Sequence, residues 1–192
     1  SGELYRLFDK RTGRELLNAP AGIEVIDETP YDTWCHNEFR FDTKLGRFGR
    51  PVFKKVETGA VRGVLRVTTR YEDTIVKQDY ILYPGCATLF MRVAMDIRAQ
   101  HRMMRFTLGA NVDQPRAVYA LPGGHIIKQA DGNENPAQQW AAVAGADGNG
   151  VALIGCGKYS FCADGANLGM MFARTPQYAD HYGERDGEGP YM

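Results

Sequence analysis

From Val61 to Tyr71 the chain alternates side by side without a break. Val61, Gly63, Leu65, Val67, Thr69 and Tyr71 fall on one face, and Arg62, Val64, Arg66, Thr68 and Arg70 on the other. A period of two is the geometry of an extended strand, in which successive side chains point to opposite faces. Glu72-Asp73 then supplies a turn, Ile75 to Tyr83 returns as a partner strand, and Pro84-Gly85 makes the next corner. This hairpin sets the pattern for the chain and excludes a helical architecture for its centre.

The same grammar recurs on both sides. Leu4 to Phe8, a turn at Asp9-Lys10-Arg11-Thr12-Gly13 and Arg14 to Leu17 read as an opening hairpin. Leu89 to Ile97, Met104 to Val112, Val151 to Ile154, Tyr159 to Cys162 and Leu168 to Ala173 read as further strands, with glycine and proline between them. No run of ten residues has a convincing period of 3.6, and Gln138 to Val143 has room for one or two helical turns at most. Many short strands with turns between them predict an all-β fold, an antiparallel β-sandwich. The 192 residues suit one domain or two small ones, and a single domain spanning 1–192 is expected. Two stretches resist the pattern: Thr29 to Pro51, which holds Trp34, His36, Phe39, Phe41 and Phe48, and the glycine-rich Pro115 to Gly150. Long irregular segments are where a compact domain keeps its binding loops.

Charge and cysteine usage narrow the function. Twenty-three basic residues balance 23 acidic ones, which offers a nucleic acid no basic excess. The longest apolar runs fall far short of the ~20 residues a membrane-spanning helix needs, so neither partner is expected. Cys35, Cys86, Cys156 and Cys162 are irregularly spaced and read as reduced cysteines of a cytoplasmic protein, with a Cys156–Cys162 bridge left open. The histidines His36, His101, His125 and His181 form no ligand motif, and the acids around Asp180-His181, Glu184, Asp186 and Glu188 read as a solvated loop. Adjacent Cys35 and His36 would point to opposite faces of a strand, and no GxSxG is present. The row Arg62, Arg66, Arg70 fits an anionic ligand, but fits better the outer face of a sheet paired to acids such as Asp79. Trp34, beside Tyr31, Asp32 and His36, is suited equally to stacking on a sugar and to capping the core, whereas Trp140 reads as core.

The order of several short motifs resembles the C-terminal β domain of glycoside hydrolase family 38 α-mannosidases. They are Leu4 to Glu15, Tyr31-Asp32-Thr33-Trp34, Glu57 to Leu65, Ile81-Leu82-Tyr83-Pro84-Gly85, Ala137 to Ala141, Gly150 to Ile154, Lys158-Tyr159 and Ala173 to Ala179. The resemblance covers nearly the whole chain. It implies a galactose-mutarotase-like supersandwich, cut short at its C-terminal end, from a larger multidomain glycosidase of a bacterial-type cytoplasm. It also implies that zinc or another divalent metal and the nucleophile belong to a separate catalytic domain, so no catalytic residue, metal ligand or cofactor is assigned to this chain. The implied partners are that catalytic domain and a mannose-containing carbohydrate, with a second copy of the chain kept open through an exposed sheet edge. Asp32, Trp34, His36 and Arg174 are the residues expected at the sugar-binding rim. The chain departs from the family at Asp96-Ile97, where an Asp-Trp pair is common, and at Cys35-His36-Asn37, where further acids follow the tryptophan.

Two other readings compete. A free-standing aldose mutarotase or epimerase needs a general acid and base facing one sugar ring, for which His101, His125 and Glu57 are the nominees. A carbohydrate-binding module would rely on Trp34 and its aromatic neighbours.

Overall fold

The computed structural model of the chain describes residues 1–29, 31–35, 38–180 and 183–185. Among them there is no helix, and so none long and apolar enough to cross a membrane. The strands are β1 (Phe8–Asp9), β2 (Arg14–Glu15), β3 (Leu17–Asp27), β4 (Lys44–Arg47), β5 (Gly49–Thr58) and β6 (Gly63–Tyr71). There follow β7 (Thr74–Leu82), β8 (Phe90–Asp96), β9 (Arg102–Ala110), β10 (Arg116–Leu121), β11 (Gly124–Lys128) and β12 (Asp131–Pro136). The last are β13 (Trp140–Ala144), β14 (Gly150–Ile154), β15 (Ser160–Asp164), β16 (Asn167–Arg174), β17 (Tyr178–Asp180) and β18 (Gly183–Arg185). The chain divides into two compact units: unit 1 is Ser1–Glu3 with Arg47–Ala99, and unit 2 is Leu4–Gly46 with Gln100–Met192.

Unit 1 is a four-stranded antiparallel meander, β5-β6-β7-β8, each strand paired with the next in sequence. Val67, Thr69, Val76 and Gln78 are buried on one face, as the alternation within β6 and β7 requires. On the other, Arg66 lies directly opposite Asp79 and binds it through two hydrogen bonds of 2.6 and 2.8 Å. Arg62 pairs with Glu57 at 2.8 Å, so the structural reading holds for both arginines.

Unit 2 is a sandwich. A six-stranded sheet, β12-β15-β16-β9-β3-β4, carries the four-stranded sheet β11-β10-β13-β14 on one face, with β13 against β15 and β16. The middle strand β9 buries Met103, Met104, Phe106 and Leu108, residues of both its faces, as a strand enclosed on both sides must. Pro20 falls where the β3–β9 register slips between Ala19 and Gly22; it has no N–H to lose from the ladder there. At the sandwich surface Asp147 accepts from Arg14 Nη1 (2.8 Å) and from the Asn149 amide and side chain (3.0 and 2.7 Å). Arg14 first, then Asn149, hold its carboxyl at about 2, below the ordinary 3.8. A depressed folded value adds stability above the unfolded pKa that is lost as pH falls through about 2. Asp147→Asn is therefore expected to flatten the rise in urea midpoint between about pH 2 and 4.

The all-β expectation holds, and several local boundaries move. The opening hairpin shrinks to Phe8–Asp9 against Arg14–Glu15. Gln138 to Val143 makes no helical turn. Trp140–Ala144 is a strand flanked by β10 and β14, with Ala141 and Val143 buried and their neighbours not, a period of two that the alanines hide. The stretch Pro115 to Gly150 is not irregular but supplies four strands, β10 to β13, and Thr29 to Pro51 contains β4 and the start of β5. All four cysteines are free; Cys156 is exposed whereas Cys162 is buried, which pushes its thiol up to about 12.

Candidate functional site

At the end of β3 the chain buries a carboxylate before it turns. Glu28 has no exposed surface, its N–H donates to His101 O (2.9 Å), and its own carbonyl accepts from Tyr31 N (2.9 Å). The next turn is built around Asp32. Its Oδ1 accepts the amides of Trp34 (2.8 Å) and Cys35 (2.7 Å), the side-chain mimicry of a turn that aspartate favours. Asp32 also forms a parallel bridge with Gln177, and Thr33 Oγ1 donates to Gln177 O at 3.0 Å. The 31–35 loop is thereby tied to the segment after β16.

Arg174, the last residue of β16, anchors the loop from beneath. Its Nε donates to Glu28 Oε1, its Nη2 to Cys35 Sγ (2.7 Å), and its guanidinium lies 5.4 Å from the centre of the Phe41 ring. Cys35 adopts a left-handed backbone (φ 47°), and its thiol donates to Asp32 O at 3.0 Å. Ile26, Phe41 and Met103 form the apolar floor, with Tyr31, Cys35 and Met171 against it; Tyr31 meets Phe41 edge-on at 5.0 Å. Burial pushes the Glu28 carboxyl up, and Arg174 pulls against it. Burial works against the charge on Arg174, but Glu28 and Cys35 outweigh it and hold the guanidinium protonated. Burial also raises the Cys35 thiol, which keeps it a hydrogen-bond donor at neutral pH.

Above this base Trp34 stands 60% exposed, with its backbone fixed and its ring free of the core. Of the four expected rim residues, Asp32, Trp34 and Arg174 are brought together, and His36 lies outside the described residues. Arg174 is committed to internal partners and Asp32 Oδ1 to the turn, which leaves Trp34 as the group presented to solvent. Glu28 and Cys35 complete the arrangement; nothing in their spacing from Arg174 announces it, because the three meet only through the pairing of β3, β9 and β16.

The mutarotase nominees lie on or beside different elements. Glu57 is held by Arg62 within unit 1; in unit 2, His101 precedes β9 of the six-stranded sheet and His125 sits on the edge strand β11 of the other. Among the described residues no three His, Cys, Asp or Glu side chains converge as metal ligands do. The acids from Asp180 to Glu188 lie beyond the described side chains.

Residues 1–182 match the family described as glycosyl hydrolases family 38 C-terminal domain. Alpha-mannosidase G of Dictyostelium discoideum is 22% identical over 201 residues, an alignment that takes in 94% of this chain. The chain spans only 18% of that relative's length.

Proposed function

The chain belongs to the C-terminal domain family of family 38 glycosyl hydrolases, and from that premise we propose that it is the non-catalytic, carbohydrate-associated domain of an α-mannosidase. It packs on the catalytic domain of the same polypeptide, and its Trp34 loop lines the rim of a mannose-binding site. Zinc or another divalent metal, and the residues that use it, belong to that catalytic domain. The observation that carries this reading is an exposed tryptophan on a loop fixed by a buried ion pair. A flat aromatic face held in place loses little freedom when a sugar ring stacks on it. Asp32 and Arg174 act here as positioning residues for that loop. Four free cysteines support a reducing compartment such as the cytoplasm.

The isolated chain is expected to release no aryl group from an aryl α-mannoside, with or without added zinc; metal-dependent turnover by pure material would overturn the assignment. In the full α-mannosidase, Trp34→Ala is expected to raise KM about three- to tenfold with little change in kcat, the mark of lost uniform binding. Tight binding of mannosides by the isolated chain, lost in Trp34→Ala, would point instead to a free-standing binding module.

A further inference from the structure

The neutral total hides a separation of charge. Unit 1 holds ten Lys and Arg against six Asp and Glu, and unit 2 holds thirteen against seventeen. Strand register concentrates the excess of unit 1 on one face. Lys54 is directly opposite Arg66, Arg66 opposite Asp79, and Asp79 opposite Arg92, so four ionisable side chains cross all four strands in one row. Two residues along, the next row on that face is Val52, Thr68, Lys77 and Ala94, and Arg70 follows on β6.

The carboxylates of this face are already paired: Asp96, in the row of Arg70, accepts from Arg98 (2.9 Å), and Glu57, one row beyond Arg66, is held by Arg62. Asp79 is taken by Arg66, whose hydrogen bonds hold its carboxyl below the ordinary range, while Arg92 acts only through its charge. Lys54, Arg70, Lys77 and Arg92 are exposed and make no ion pair among the described residues. Like charges held on neighbouring strands repel, and a multivalent anion laid across them removes that cost. The residues between them, Val52, Thr68 and Ala94, are small. The face is an open four-stranded sheet, and among the described residues no helix or two-stranded ribbon stands out from it to enter a nucleic-acid groove; its exposed ring, Phe90, lies one row beyond the charges.

We propose that the Lys54–Lys77–Arg92 face of unit 1, with Arg70, binds an anionic glycan, a sugar chain carrying sulfate or uronate charges. This surface is built from unit 1 and the Trp34 loop from unit 2, and the proposal stands whether or not that loop touches mannose. Several weak, solvated pairs add up across a repeating ligand, and the sum is sensitive to salt.

Titration of the chain with heparin at low ionic strength tests it. Saturable binding is expected, weakening steeply with added salt and absent for neutral dextran. The triple variant Lys54→Ala, Lys77→Ala, Arg92→Ala is expected to bind about tenfold or more weakly, with an unchanged circular dichroism spectrum because all three side chains are exposed. A control at Lys10→Ala in unit 2 keeps the original affinity. No binding to heparin, equal binding by the triple variant, or equally tight binding of an oligodeoxythymidine would overturn the proposal.

Discussion

Replacing Arg174 by alanine is expected to cost about 3–5 kcal/mol of folding free energy, the usual result of stripping the partner from a buried charge. The number follows from what is left behind. Glu28 has no exposed surface, and its Oε2 already lacks a hydrogen-bond partner among the described residues, so without Arg174 the carboxylate is stranded. Cys35 loses its donor and Phe41 the cation over its ring in the same step. The double variant Glu28→Gln, Arg174→Met removes both charges and is expected to recover much of the loss. Urea denaturation of the three proteins measures this, with the emission of Trp34 and Trp140 together following unfolding. A loss below about 1 kcal/mol, the scale of a surface pair, would mean that the pair is solvated and does not anchor the loop.

A second large loss is expected for Arg105→Ala, at about 3 kcal/mol or more. Arg105 is 5% exposed on β9, where its Nη1 donates to Phe41 O (3.2 Å) and its Nη2 pairs with Glu134 of β12 (2.5 Å). Glu134 in turn accepts from Ser160 Oγ at 2.5 Å. The arginine stem reaches that partner across Gly169 of β16, where an added Cβ would come within 2.6 Å of Arg105 Cδ and 2.7 Å of Cys162 Sγ. Gly169→Ala is thus expected to destabilise in the same direction by displacing the arginine. Equal stability of Arg105→Met and Arg105→Ala would show that loss of the charge accounts for the effect, because methionine keeps the apolar stem.

These two clusters show why the fold was more legible than its polar interior. Strands β6, β7 and β8 pair with their sequence neighbours, so alternation and turn residues located them almost to the residue. The Arg66–Asp79 pair followed from the same register. Strand β13 was hidden because Trp140 to Ala144 is mostly alanine, whose side chain barely distinguishes inside from outside. The strands of Pro115 to Gly150 were hidden because short polar runs such as Asp131–Pro136 derive their conformation from partners far along the chain. Trp34 and Asp32 were legible as a tryptophan and its neighbour in a polar loop, and Arg174 only through family resemblance. Glu28 and Arg105 were not, because a lone charge in a strand carries no local sign that it will be buried.

Unit 2 is discontinuous in sequence, and this sets the timing of its assembly during synthesis. Strand β3 carries the apolar run Ala21, Ile23, Val25 and Ile26, yet its neighbour across the ladder is β9, with Ile23 opposite Phe106. At ordinary synthesis rates the ribosome needs roughly 4–16 s to reach that partner. Meanwhile the intervening segment builds unit 1, whose strands each find their mate within a few residues. For those seconds β3 has only the short β4 beside it, and the edge that later takes β9 is an open hydrophobic ribbon on the nascent chain. Early completion of the unit 1 meander shortens the effective loop that must close before β3 meets β9. A lesion in unit 1 can thus appear as aggregation of unit 2.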